Sequence, residues 1–134
     1  MGLNLVDRIY SKMGDLKKGK YIIIDEHPCR IMSVDKSKPG KHGAAKISVV
    51  AISLFDESKH SSAKSSDADC EVPMLERKRG QIVNVAGNIA TLMDTVSYET
   101  FDVTVPEEMM PEVEVGKEIQ YIEAMGQKLL QRID

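Results

Sequence analysis

The stretch Tyr21-Ile22-Ile23-Ile24-Asp25-Glu26-His27-Pro28-Cys29-Arg30-Ile31-Met32-Ser33-Val34 decides the fold class. Two short runs rich in β-branched residues flank a polar turn segment, Asp25 to Pro28. That pattern predicts two antiparallel strands joined by a tight hairpin. A third run, Ile47 to Phe55, follows after a polar interval. Working outward, Gln81–Val85, Ile89–Met93, Phe101–Val105, Ile119–Glu123 and Lys128–Ile133 have the same length and composition. Ala86-Gly87-Asn88 and Met125-Gly126-Gln127 are suited to joining two of these as hairpins. Ile119 and Tyr121 alternate with Gln120, as in a half-buried sheet. Helical periodicity is weak throughout, and only Pro106–Met110 suits a short helical turn with proline at its start.

Short strands at regular spacing predict an all-β chain of two small barrels. The segment Glu57–Asp69 is mostly Ser, Lys and Asp. It reads as a polar hairpin running into an interdomain link that ends near Pro73. The expected domains are therefore 1–69 and 70–134. Each is small enough to bury only ~60% of its unfolded surface. Residues Met1–Lys12 have no evident role, although Leu3, Leu5, Val6 and Ile9 could cap the first barrel.

Composition narrows the function. The chain has 134 residues, 18 Lys/Arg and 21 Asp/Glu, for a formal charge of −3. It holds no apolar run near the ~20 residues of a membrane-spanning helix and no secretory pattern at its start. Cys29 and Cys70 are too few for a disulfide scaffold and lack zinc-finger spacing. A cytoplasmic location is expected, with no membrane partner. The first 70 residues carry 12 Lys/Arg against 9 Asp/Glu (+3), and the remaining 64 carry 6 against 12 (−6). The first part can therefore approach nucleic acid, while the second is repelled by it. Lys36, Lys38, Lys41 and Lys46 fall in an acid-free stretch that reaches Phe55. Such a run reads either as a solvated face or as a phosphate-facing one.

Between the second and third strands lies Asp35-Lys36-Ser37-Lys38-Pro39-Gly40-Lys41-His42-Gly43-Ala44-Ala45-Lys46. Pro39 fixes its own φ and Gly40 accepts φ > 0, the pairing favoured at the centre of a type II turn. Lys41 stands between two glycines, where little can cover it. A phosphate-binding P-loop is excluded. It needs glycine where Asp35 stands and Ser or Thr where His42 stands. Gly116-Lys117 fails in the same way.

The run Ser37–Lys46 resembles the modification loop of the translation initiation factor 5A family, whose lysine becomes hypusine by addition of a spermidine-derived aminobutyl arm. Gly19–Ile24, Pro28–Ile31, and Val72-Pro73 followed by Arg77-Lys78 resemble the same family, so the likeness covers most of the chain. The bacterial relative, elongation factor P, typically lacks that histidine and has a third domain. Pro39 and Ala44 stand where the eukaryotic pattern has Thr and His. Both side with the archaeal branch and leave open whether the arm is hydroxylated.

The resemblance implies an N-terminal SH3-like barrel followed by a C-terminal OB-fold. It implies Lys41 as the modified residue and Lys38, Pro39, Gly40, His42 and Gly43 as features recognised by deoxyhypusine synthase. Binding near the ribosomal E site is implied as well, beside peptidyl-tRNA. The arm would there promote peptide-bond formation at proline-rich stalls and assist termination. This is catalysis by positioning, with the ribosome supplying the reaction centre. Arg30, Lys36, Lys38 and Lys46 would contact RNA phosphates without reading sequence. The chain itself is expected not to be an enzyme. No catalytic residues, metal, cofactor or DNA partner is expected beyond the covalent arm on Lys41.

The alternative function is a stand-alone RNA-binding or RNA-chaperone module using the basic loop. His27 and Cys29 with His60 or Cys70 match no metal-ligand spacing. Met109-Met110 suits a core as well as a binding surface. The second half has only Tyr98, Phe101 and Tyr121 as aromatics and is acidic, which suits a spacer better than a stacking platform.

Overall fold

In the computed structural model, residues 7–38 and 45–130 are described. The chain is nearly all-β and divides into two units, Met1–Met74 and Leu75–Asp134. The first unit holds β1 (Arg8–Lys12), β2 (Tyr21–Ile24), β3 (His27–Ser37), β4 (Lys46–Ser53), β5 (Lys59–Ser65) and β6 (Asp69–Pro73). These form one antiparallel sheet in the order β1-β6-β2-β3-β4-β5. The second holds β7 (Glu76–Ala86), β8 (Ile89–Asp94), β9 (Thr100–Thr104), β10 (Glu118–Ala124) and β11 (Gln127–Leu130). Their order is β11-β10-β7-β8-β9, and the two edge strands approach one another so that the sheet nearly closes. Closure removes the exposed edges that an open sheet would present.

Each sheet has its own core. Met13, Ile22, Ile31, Ile47, Val49 and both cysteines pack together in the first unit. Ile82, Leu92, Val103, Met109 and Tyr121 do so in the second. In β4 the inward residues Ile47, Val49, Ala51 and Ser53 alternate with less buried ones, as a one-sided strand requires. Met109 is buried and Met110 packs against the same core, so this pair fills space within the unit.

Several sequence expectations are corrected. Glu57–Asp69 contributes to a polar hairpin, as expected, but does not run on into a link. Lys59–Ser65 is a full strand paired with β4 from Lys46↔Ser65 to Ile52↔Lys59. None of its residues is buried, so the strand needs few apolar side chains. The unit boundary follows Met74 rather than residue 70, since Asp69–Pro73 pairs with β1. Arg8–Lys12, which had no evident role, supplies that partner strand. Leu3, Leu5 and Val6 lie outside the described residues, and Ile9 is exposed. The first hairpin turns on Asp25-Glu26 alone, both at positive φ (53° and 62°). His27 and Pro28 already belong to β3 and pair with Ile24 and Ile23. A two-residue turn with both centres left-handed matches the twist of its strands. The third run ends as a strand at Ser53, where Leu54 N–H turns to donate to the Pro28 carbonyl. The helical turn expected near Pro106 is a 3₁₀ segment, Glu107–Glu112.

Both long strands are interrupted once. The register shifts between Ile31 and Ser33 in β3, and between Ile82 and Asn84 in β7. Each shift turns the intervening apolar residue, Met32 or Val83, toward solvent. A bulge of this kind bends a strand and increases its twist.

Candidate functional site: the basic β3–β4 hairpin

The last rungs of the β3–β4 ladder are Lys36↔Ile47 and Ser37↔Lys46. Directly opposed residues share a face, and successive residues alternate. Lys36 therefore lies in the row of buried Ile47, and Lys46 lies on the other face with Ser37. Lys38 follows β3 directly and is exposed. Ala45 is anchored by its carbonyl, which accepts a 2.7 Å hydrogen bond from Ser66 N–H. Two well-formed strands thus hold the ends of the connection. Pro39, Gly40, Lys41, His42, Gly43 and Ala44 make the connection and lie outside the described residues.

The pairing of β5 adds a cation that sequence reasoning missed. Lys64 lies across β4 from Lys36, opposite Ile47. Its segment reads from the sequence as a polar hairpin running into a link, and no local signal there pairs it with β4. Lys36, Lys46 and Lys64 therefore surround the base of the hairpin, with Lys38 beyond them. Among the described residues, none of these four ammonium groups makes an ion pair, whereas Lys12 and Lys78 each do. Unpaired, exposed lysines beside one another raise the local positive potential, which attracts polyanions. Arg30 is exposed too, but it lies seven residues back along β3, roughly 23 Å from Ser37 at 3.3 Å per residue. It is not brought to the hairpin base.

The far end of the unit carries different chemistry. His27 and His60 stack with ring centroids 4.7 Å apart. The ring nitrogens of His60 face the Ser58 hydroxyl (2.8 Å) and the Asp25 carboxylate (3.4 Å). Asp56 accepts from both the hydroxyl and the N–H of Ser58, and these bonds hold its carboxyl at about 2. Cys29 and Cys70 are buried with their thiols pushed up by burial. Among the described residues no His, Cys, Asp and Glu side chains gather as a metal site. His27 and His60 do meet, but as a ring stack in which His60 is also held by Ser58 and Asp25.

Arg8 ties the turn to the sheet. Its guanidinium donates to Glu26 (2.8 and 2.9 Å), Glu71 (2.6 Å) and Asp7 (2.9 Å), which pushes its own pKa up. In the second unit, Asp94 is 5% exposed. Its carboxylate accepts from Val96 N–H, Ser97 N–H and the Tyr121 hydroxyl, and these bonds hold it at about 2. Burial together with Asp94 pushes the Tyr121 phenol upward.

Comparison with known proteins supplies the rest. Residues 8–68 match the family model described as translation initiation factor 5A-like, N-terminal. Residues 74–133 match that of the eukaryotic elongation factor 5A hypusine, DNA-binding OB fold. The translation initiation factor 5A of Methanocella arvoryzae is 52% identical over 116 residues, covering 87% of this chain and 91% of that protein. That of Archaeoglobus fulgidus is 48% identical over 118 residues, covering 88% and 92%. The solved structure of the factor from Methanococcus jannaschii superposes with a TM-score of 0.89 at 36% identity, covering 96% of this chain and 98% of that one. The two matched domains, the two-sheet architecture and these relatives agree, and the chain belongs to the translation initiation factor 5A family.

Proposed function

We propose that this translation factor binds the ribosome near the E site and carries a hypusine or deoxyhypusine side chain on Lys41. The aminobutyl extension lengthens the lysine and adds a second cationic nitrogen. It enters between RNA phosphates and bases and braces the acceptor end of peptidyl-tRNA. Correct placement of the peptidyl group then speeds attack at proline-rich stalls and supports termination. The factor needs no nucleophile of its own, because positioning converts a loose encounter into an oriented one. Deoxyhypusine synthase is the modifying partner, reading Lys38, Pro39, Gly40, His42 and Gly43. Lys36, Lys38 and Lys46 contact phosphates at the hairpin base, and Arg30 meets a separate phosphate farther along β3, which together set register.

The observation that carries this reading is the Ser37–Lys46 segment, whose sequence resembles the modification loop and whose base is ringed by lysines that make no ion pair among the described residues. Peptide mass spectrometry of the protein from its native host tests it. A peptide containing Lys41 should carry the mass of the aminobutyl arm, with or without hydroxyl. Lys41→Arg should fold normally and fail to relieve a proline-stall reporter, because a guanidinium cannot accept the graft. An unmodified lysine, or full relief by Lys41→Arg, would favour a stand-alone RNA-binding module instead.

A further inference from the structure

Strand pairing gathers cations at a second place on the first unit, away from the hairpin base. Tyr21, Arg30, Ile52 and Lys59 oppose one another directly across β2, β3, β4 and β5. Ile31 and Ala51 in the adjacent row are buried, so this row lies on the face turned away from the core. Arg30 and Lys59 are exposed and stand two strand spacings apart, about 10 Å. Among the described residues neither makes an ion pair. Arg8 and Lys12 do, and they take up Asp7, Glu26, Glu71 and Asp69.

The same outward face leads back to the hairpin. Lys46 lies on it, six residues before Ile52 along β4, roughly 20 Å at 3.3 Å per residue. Two rows stand between these ends, Asp35 with Ser48 and Ala63, and Ser33 with Val50 and Ser61. Asp35 is the one acid in those rows. Among the described residues the hydroxyls of Ser33, Ser48 and Ser61 hydrogen-bond to no protein group. Met32, turned to solvent by the bulge, borders the face. A protein partner would call for an apolar or aromatic centre, and small hydroxyl residues occupy it instead. Cations at both ends with free hydroxyl donors between them suit the phosphates of an RNA backbone.

We propose that the outward face of β3, β4 and β5 carries one RNA strand by its phosphates, from Lys46 at the hairpin base to a second anchor at Arg30 and Lys59. Ser48 and Ser61 donate to the phosphates between them. This rests on the ribosome-binding reading above and adds the direction of approach. A single anchor leaves the hairpin free to swing about it, whereas two anchors about 20 Å apart fix where it points.

Ribosome binding by the full-length modified factor, titrated between about 50 and 200 mM salt, tests the face. Arg30→Gln and Lys59→Gln should each lower the salt slope by roughly 0.7–0.9, and the double variant by the sum, because they meet different phosphates. Over that fourfold range the double variant then loses about tenfold less affinity than the native factor. Ser61→Glu, which sets a negative charge midway along the strand, should weaken binding more than Ser61→Gln. Unchanged thermal melting, and a Lys41 peptide of native mass, separate these effects from unfolding and from lost modification. Native slopes for Lys59→Gln together with equal binding by Ser61→Glu and Ser61→Gln would overturn the proposal. A native factor that binds with the full slope yet fails to relieve a proline stall would instead sink the hairpin reading and leave this face standing. A p-benzoylphenylalanine crosslinker substituted at Ser61 in the ribosome complex then identifies the source of the strand. Crosslinked ribosomal RNA or transfer RNA supports the face and tells the two apart, and crosslinks to protein alone refute it.

Discussion

Replacing Asp94 by asparagine removes one charge from the centre of the second unit while keeping its shape. In the native protein the carboxylate receives hydrogen bonds from Val96 N–H and Ser97 N–H at 2.8 Å and from the buried Tyr121 hydroxyl. These bonds lower its pKa from 3.8 to about 2. A depression of that size corresponds to about 2 kcal/mol of stability, since each unit is worth about 1.4 kcal/mol. The sign follows from the depressed value. The contribution is fully present above the unfolded pKa near 4 and disappears as pH falls through about 2. Asparagine can still accept from the two backbone N–H groups, but it lacks the charge that strengthens all three bonds. At pH 6 the variant should therefore be less stable by about 2 kcal/mol, and the gap should close between pH 4 and pH 2. Urea titration followed by amide resonances of β7–β11 measures this unit alone, which matters because a two-unit chain need not unfold in one step. A stability difference that stays constant across that window would refute the assignment of the stabilisation to the Asp94 charge.

Three further outcomes are expected. A Cβ placed on Gly80 would lie 3.0 Å from Leu92 Cδ2, so Gly80→Ala should cost about 1–3 kcal/mol by overpacking. Pairing it with Leu92→Ala should give less than the sum of the two losses in equilibrium unfolding. Lys36→Ala and Lys64→Ala should each reduce the salt slope of RNA or ribosome binding by roughly 0.7–0.9. An effect of Lys36 alone would mean that β5 does not present Lys64 to the same partner. Cys29 and Cys70 should resist alkylation in the native protein, being buried with raised thiol pKa values. Their labelling, followed by mass in increasing urea, should then track unfolding of the first unit, and rapid native labelling would contradict the packing.

The strand-forming runs were legible because β-branched residues and turn chemistry are local signals. Tyr21–Ile24, Ile89–Met93 and Ile119–Glu123 lie where that reading put them, within a residue or two. Lys59–Ser65 was legible only as part of a polar hairpin, not as a full strand beside β4. It is serine- and lysine-rich, and it is a strand because β4 offers it a backbone ladder and asks little of its side chains. Arg8–Lys12 escaped for a related reason, since it becomes a strand only when β6 lies alongside. Register shifts at Met32 and Val83 were hidden as well, because strict alternation assigns each apolar residue to a core face and cannot foresee an extra residue.

By itself the chain's order of residues determined the all-β class, the hairpin between the second and third apolar runs, and the placement of one lysine between two glycines. All three depend on neighbours a few positions apart, where backbone preference and turn geometry act directly. Tertiary structure alone decided that Lys64 joins Lys36 and Lys46, and that Asp94 reaches Tyr121 across 27 positions. Those juxtapositions arise from pairing between distant strands, and distant pairing is set by how whole sheets bury their faces rather than by any local pattern.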